Sequence, residues 1–101
     1  MTPNSARVAE LYSLAAAGDM DARIKLGELY ADFIAETGAE LQLRHYSVAD
    51  PMEIKIAGLS GIGNSLEKLG LSANCPTYAA WVEKNIRLSI QRLIFKTRGI
   101  I

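Results

Sequence analysis

Apolar residues recur every three or four positions along most of the chain, the spacing of one face of an α-helix. In the first run these residues are Val8, Leu11, Tyr12 and Ala15. Thr2 supplies a capping hydroxyl before Pro3, which suits a first helical position, and Gly18 is a typical stop. The pattern predicts a first helix over about residues 3–17.

A tight turn is predicted at Gly18 and Asp19, because the glycine ends one helix and the aspartate side chain can cap the next. The apolar positions that follow are Leu26, Leu29, Tyr30, Phe33, Ile34 and Leu41. They stay on one stripe and predict a single second helix over about residues 20–44. The stripe is weakest at Thr37 and Gly38, where a kink is one option.

The third helix has a strong start signal: Asp50 is a cap, Pro51 fits the first turn, and Glu53 is the carboxylate of a capping box. Its apolar residues at helical spacing are Met52, Ile56, Leu59, Ile62, Leu66 and Leu69. This seam predicts a helix over about 51–69 that packs along another helix. A strand over 52–57 is the competing interpretation, because apolar and charged residues alternate there; six helical matches favour the helix.

Pro76 predicts the start of a last helix that extends to about residue 97. The expected core face consists of Tyr78, Val82, Ile86, Ile90, Leu93 and Ile94. The sequence therefore predicts an all-α protein, with four helices over about 3–17, 20–44, 51–69 and 76–97. Residues 1–101 are expected to form a single helical domain.

Composition excludes several kinds of site. Half of the 101 residues are apolar, and 11 basic residues balance 11 acidic ones. Because Cys75 and His45 are the only cysteine and histidine, an internal disulfide and a zinc site built from several such residues are excluded. Neither a membrane-spanning stretch nor a secretory signal is recognisable. A cytoplasmic protein without metal or other cofactors is expected.

Catalytic residues are not expected either. Nucleophilic catalysis with a histidine base would rest entirely on His45, which the pattern places in a loop. The Ser65-Leu66-Glu67-Lys68 string matches a Ser-x-x-Lys motif, but it lacks the companion motifs of such enzymes. The sequence predicts a protein that is not an enzyme.

Charge is unevenly distributed along the chain. Residues 1–75 hold 6 basic and 10 acidic side chains, whereas residues 76–101 have a net charge of +4. The basic residues of the last helix are Lys84, Arg87, Arg92, Lys96 and Arg98. Lys84, Arg87 and Arg98 share one side of this helix with Gln91 and are the main candidates for contacts to DNA phosphates, with Arg92 and Lys96 as secondary candidates. The alternative is an ordinary solvated basic face, paired in part with the acidic second helix.

Trp81, Leu88 and Phe95 form a second apolar stripe on the last helix, because they are seven residues apart and lie away from its core face. A helix that is apolar on two sides is either central in its own bundle or contributes one side to a neighbouring subunit. A small domain leaves little room for a central helix. These three residues are therefore the predicted interface with a second copy or another protein.

The string Leu59-Ser60-Gly61-Ile62-Gly63 resembles the hairpin of helix-hairpin-helix DNA-binding motifs. Glu67 and Gly70 occupy positions where that family has apolar residues. Close helix packing through the small glycines is therefore the preferred interpretation of this string.

Two longer stretches resemble known families. Residues 11–30, from Leu11-Tyr12 through Gly18-Asp19 to Leu29-Tyr30, are similar to one Sel1-type or tetratricopeptide repeat, which implies a helical hairpin used in protein interactions. Residues 5–72 resemble small subunits of phage terminases. The similarity lies in the order of elements: an acidic helix that contains Tyr30, a proline-started helix, and the Leu69-Gly70-Leu71-Ser72 turn.

The terminase resemblance implies a non-catalytic, oligomeric subunit that binds viral duplex DNA and presents it to a large packaging ATPase subunit. The leading prediction is therefore an oligomeric DNA-binding protein. The five basic side chains of the last helix would contact DNA, and Trp81, Leu88 and Phe95 would lie between subunits. The alternative is a small helical module, an adaptor or inhibitor, that binds one protein partner and has no role with nucleic acid.

Overall fold

The computed structural model describes residues 2–45 and 47–98, with side chains as far as Lys96. The protein is all-α, and no strand occurs in these residues. Five helices follow one another in the order α1 Ser5–Ala16, α2 Met20–Leu29, α3 Ala31–His45, α4 Pro51–Glu67 and α5 Tyr78–Arg98. The all-helical class is confirmed, while the prediction of four helices is corrected to five in the described part.

The first turn of α1 is capped by Asn4 and not by Thr2, because the Asn4 side chain accepts hydrogen bonds from the backbone N–H groups of Ala6 and Arg7. The turn after α1 is as predicted. Gly18 has a φ of +104°, a conformation that favours glycine, and Asp19 caps α2 through the Ala22 N–H. Helices α1 and α2 therefore form a hairpin.

The predicted second helix is in fact two helices that meet at Tyr30. The Tyr30 N–H still bonds to the Leu26 carbonyl, and the Tyr30 carbonyl accepts from the Ile34 N–H, so the interruption spans one residue. Because α2 packs mainly on α1 and α3 mainly on α5 and α4, the apolar stripe stays continuous while the chain changes direction. Helix α3 continues through Gly38.

Helix α4 begins as predicted, with the complete capping box of Asp50 and Glu53. Residues 52–57 are helical, so the strand alternative is wrong, and the helix ends at Glu67 and not at residue 69. The prediction for its buried face is wrong in part: Ile62 is buried as predicted, whereas Met52, Ile56, Leu59 and Leu69 are exposed. The buried face consists of Ile54, Gly58, Gly61, Ile62, Gly63 and Ser65.

Glycines bring α4 close to its neighbours. A Cβ atom added at Gly61 would lie 2.6 Å from the Asn85 carbonyl oxygen and 2.7 Å from Ile86 Cα, both on the backbone of α5. A Cβ at Gly58 would lie 2.6 Å from the Ile34 side chain of α3. Close packing through small residues, the preferred sequence interpretation, is confirmed. The Gly61-Ile62-Gly63 string lies inside a helix and forms no hairpin.

Helix α5 starts at Tyr78, two residues after Pro76, because the Thr77 hydroxyl accepts from the Ala80 N–H and caps the helix. Its fully buried residues are Val82, Ile86, Ile90 and Ile94, as predicted. Helix α5 packs against α4, α3 and α1 and is therefore central in its own bundle. The expectation that a domain of this size has little room for a central helix is wrong. None of the described helices has the length and apolarity needed to cross a membrane.

Candidate functional site

An apolar groove runs along the outer side of the bundle between α3 and α4 and encloses about 440 Å³. Its floor is formed by the buried Ile34 and Ile54. The other lining residues are Gly27, Ala31, Ala35, Ala39, Gln42, Pro51, Lys55 and Leu59. We refer to these ten residues as the apolar groove. Such a lining of mostly apolar side chains with few polar groups is typical of binding sites.

The groove continues over α2 into a second depression of about 420 Å³. Gly27, Ala31, Lys55 and Leu59 line both depressions, so the two form one continuous surface. The residues that only the continuation contributes are Met20, Arg23, Ile24, Glu28 and Ile62. This surface extends across three helices.

Local sequence explains why the groove is open. Ala31, Ala35 and Ala39 are four residues apart, so they lie along one face of α3, and their small side chains leave space beside α4. The floor is closed because Gly38 directly contacts Ile54 and Gly58 contacts Ile34. The helices therefore touch at the floor and diverge at the surface.

Large apolar side chains are exposed on the outer surfaces of α2 and α4. Met20 and Ile24 of α2 are 65% and 57% exposed, and Met52 and Ile56 of α4 are 60% and 58% exposed. Leu59 belongs to the same outer face of α4. At about 100° per residue, positions 52, 56 and 59 lie within about 60° of one another around the helix. Clustered exposed apolar side chains are typical of interaction sites.

Sequence reasoning missed this surface because it assigned Met52, Ile56 and Leu59 to the core seam. The signal that could have corrected it was the spacing of the α4 glycines. Gly58 and Gly61 lie three residues apart, on the side of the helix opposite to Ile56. A helix with such glycines can bury that side by close approach and leave its larger apolar residues outside.

One of the predicted DNA-binding residues is engaged in an ion pair within the protein. Arg87 is engaged by Glu40 of α3 at 3.2 Å, which is the pairing with the acidic helix that the alternative interpretation anticipated. Lys84, Arg92 and Lys96 are exposed. Lys96 is about 120° from Lys84 around α5, outside the side of the helix that Lys84 and Arg87 share. The side chain of Arg98 lies outside the described residues.

The three residues of the predicted second stripe have different environments. The Trp81 indole N–H donates to the Ser65 carbonyl of α4 at 3.0 Å, and its ring covers Gly70. Phe95 contacts the His45 ring edge-on, with centroids 4.9 Å apart, and Leu88 is partly exposed. Trp81 is thus bound within its own chain, which the sequence argument did not foresee.

A third, more polar depression of about 480 Å³ lies beside Glu83, Lys84 and Arg87. The buried Tyr30 hydroxyl donates to Glu83 Oε2 at 3.0 Å. Burial raises the pKa of Glu83, and the hydrogen bond from Tyr30 opposes this rise in part. Burial and the adjacent carboxylate also raise the pKa of Tyr30.

Glu83→Gln tests this carboxylate through the pH dependence of stability. Because folding raises the pKa of Glu83 above its ordinary 4.5, the native state binds more protons than the unfolded state, and the free energy of unfolding falls as pH increases through this range. The amide oxygen of glutamine still accepts from Tyr30. We expect the stability of the variant relative to wild type to increase as pH rises from about 4 to about 7. Urea unfolding at several pH values measures this difference. The exposed-carboxylate variant Glu28→Gln is the control, and an equal gain there would contradict the assignment to Glu83.

Among the described residues, no three histidine, cysteine, aspartate or glutamate side chains are grouped so that they could hold a metal ion. Cys75 is buried. Comparison with known proteins adds no further indication: no family model, no curated protein and no solved structure matches this chain.

Proposed function

We propose that this protein is a protein-interaction module that binds an amphipathic helix of a partner in the apolar groove. The observation that carries the proposal is the continuous apolar surface over α2, α3 and α4, with three large exposed apolar side chains, Met20, Ile24 and Leu59, among its lining residues. Burial of such side chains by a partner is favourable because it removes apolar surface from water.

A helix fits this surface better than an extended strand does. All described elements are helical, so no sheet edge is present in residues 2–45 and 47–98 to pair with an extended peptide. The small side chains of Ala31, Ala35 and Ala39 form a shallow rim against which a third helix can pack beside α4. The apolar residues of such a helix would contact Met20, Ile24 and Leu59.

Ala35→Trp tests the proposal, because the indole would fill the groove at an exposed position of α3. Helical peptides selected from a random amphipathic library should bind the wild type with a dissociation constant on the order of micromolar. The variant should bind at least about tenfold more weakly, a loss of about 1.4 kcal/mol. Fluorescence anisotropy of labelled peptides measures both values.

Ala16→Trp is the matched control, because Ala16 is an exposed alanine in a different helix, away from the groove. It should bind the same peptides as tightly as wild type does. Circular dichroism checks that both variants are folded. Equal peptide binding by Ala35→Trp and wild type would contradict a site in the groove.

DNA binding is the second candidate function, since Lys84, Arg92 and Lys96 are exposed and have no ion-pair partner in the described part of the chain. Phosphate contacts would make binding to a duplex weaken steeply with salt. The experiment is an anisotropy titration of a labelled duplex at low salt, repeated with Lys84→Glu/Arg92→Glu/Lys96→Glu. Equal affinity of the triple variant would remove these residues from a DNA site, and a light-scattering mass would test the predicted oligomer.

A further inference from the structure

We infer that the helix bound in the apolar groove is acidic, with carboxylates placed beside Lys55 and Arg23. This inference rests on the proposed function and specifies the chemistry of the partner. It disfavours a symmetric contact of this surface with the same surface of a second copy.

Lys55 occupies a central position, because it lines both the apolar groove and its continuation over α2. It is exposed and forms no ion pair with any residue that the structure describes. The ammonium group therefore stays hydrated beside an apolar surface until a partner supplies a carboxylate.

Arg23 contributes a second positive charge on the same surface. Its guanidinium group covers Gly63 of α4, since a Cβ there would lie 2.6 Å from Arg23 Nη2. Arg23 is also without an ion-pair partner among the described side chains. One acidic residue, Glu28, lines this surface, so its lining is net positive.

The positive lining is notable because residues 1–75 have a net charge of −4. The other acidic residues of α2 and α3 lie elsewhere: Asp21 pairs with Lys25 at 3.0 Å, and Glu40 pairs with Arg44 and Arg87. Asp32 and Glu36 do not line the groove. Charge complementarity at such a site selects partners, and here it selects an acidic helix.

A second copy fits the same charges poorly. If a second copy covered this surface with the same surface of its own about a two-fold axis, two linings of the same net positive charge would meet. Lys55 and Arg23 of both copies would then lie in one interface, and this repulsion would oppose apolar burial. The carboxylates of an acidic partner helix would pair with both Lys55 and Arg23 without this repulsion.

The test uses three designed helical peptides of about 18 residues, because shorter isolated helices are marginal. They share one apolar face and differ in the residues that flank it, which are glutamate, glutamine or lysine. At about 50 mM salt the glutamate peptide should bind about tenfold more tightly than the lysine peptide, and the difference should shrink at about 500 mM salt. Calorimetry measures all three affinities.

Lys55→Glu should lower the affinity for the glutamate peptide and raise it for the lysine peptide. Lys68→Glu is the matched control, because it reverses an exposed charge at the end of α4 that does not line the groove, and it should leave the order of affinities unchanged. An unchanged order in Lys55→Glu would overturn the inference.

The remaining outcomes separate the inference from the proposed function. Equal binding of all three peptides, lost in Ala35→Trp, would overturn the acidic preference and leave helix binding in place. Binding of none of them would overturn both. A dimer in light scattering that Ala35→Trp dissociates would identify a second copy as the occupant and overturn the inference.

Discussion

Gly61→Ala is expected to lower the free energy of unfolding by about 2 kcal/mol, although alanine is the better helix former. The added Cβ would lie 2.6 Å from the carbonyl oxygen of Asn85 and 2.7 Å from Ile86 Cα. These are backbone atoms of the central helix, which cannot rotate away as a side chain can, so α4 and α5 would have to separate. Urea unfolding followed by circular dichroism measures the loss.

Gly63→Ala is the matched control for this prediction, because it makes the same substitution two residues further along α4. There the Cβ would meet Arg23 Nη2, the end of a flexible side chain that can move. The gain in helix propensity of up to about 1 kcal/mol should then dominate. If both variants were equally stable, close approach at Gly61 would not be the reason for the glycine.

Trp81→Ala is expected to lower the free energy of unfolding by about 2 to 3 kcal/mol without changing the mass in solution, because the indole is partly buried within its own chain. Its ring covers Gly70, and its N–H donates to the Ser65 carbonyl. That carbonyl lies in the last turn of α4, where no intrahelical donor follows. Urea unfolding and light scattering measure the two quantities.

Trp81→Phe separates the hydrogen bond from the packing. Phenylalanine keeps most of the ring, and the Ser65 carbonyl still accepts from the Tyr12 hydroxyl, so we expect a loss of only about 1 kcal/mol. A Trp81→Ala protein with wild-type stability but a smaller mass would instead place Trp81 at a subunit interface.

Both predictions concern the contact between α4 and α5, and Trp81 belongs to the junction at which α1 and α5 meet the end of α4. Tyr12 of α1 and Trp81 of α5 both donate to the Ser65 carbonyl, and the Tyr12 and Tyr78 rings stack with centroids 5.0 Å apart. Burial raises the pKa of Tyr12 accordingly. This junction orients α4, and thereby the outer face that carries Ile56 and Leu59.

The amino-acid sequence by itself determined the helical class, the turn at Gly18 and Asp19, and the core face of α5. These features depend on short-range physics: a positive φ suits glycine, a carboxylate caps free N–H groups, and apolar residues at helical spacing share one face. The capping box at Asp50 and Glu53 is of the same kind, because all of its atoms lie within a single turn.

Only the tertiary structure decided where the apolar residues of α4 point and where the second helix breaks. A helical pattern shows that Met52, Ile56 and Leu59 share a face, but the glycines on the opposite side determine which face can approach α5 closely. Likewise, the stripe through Tyr30 is continuous because α2 and α3 bury the same side against different partners. Long-range packing decides these choices, and the apolar groove exists because of them.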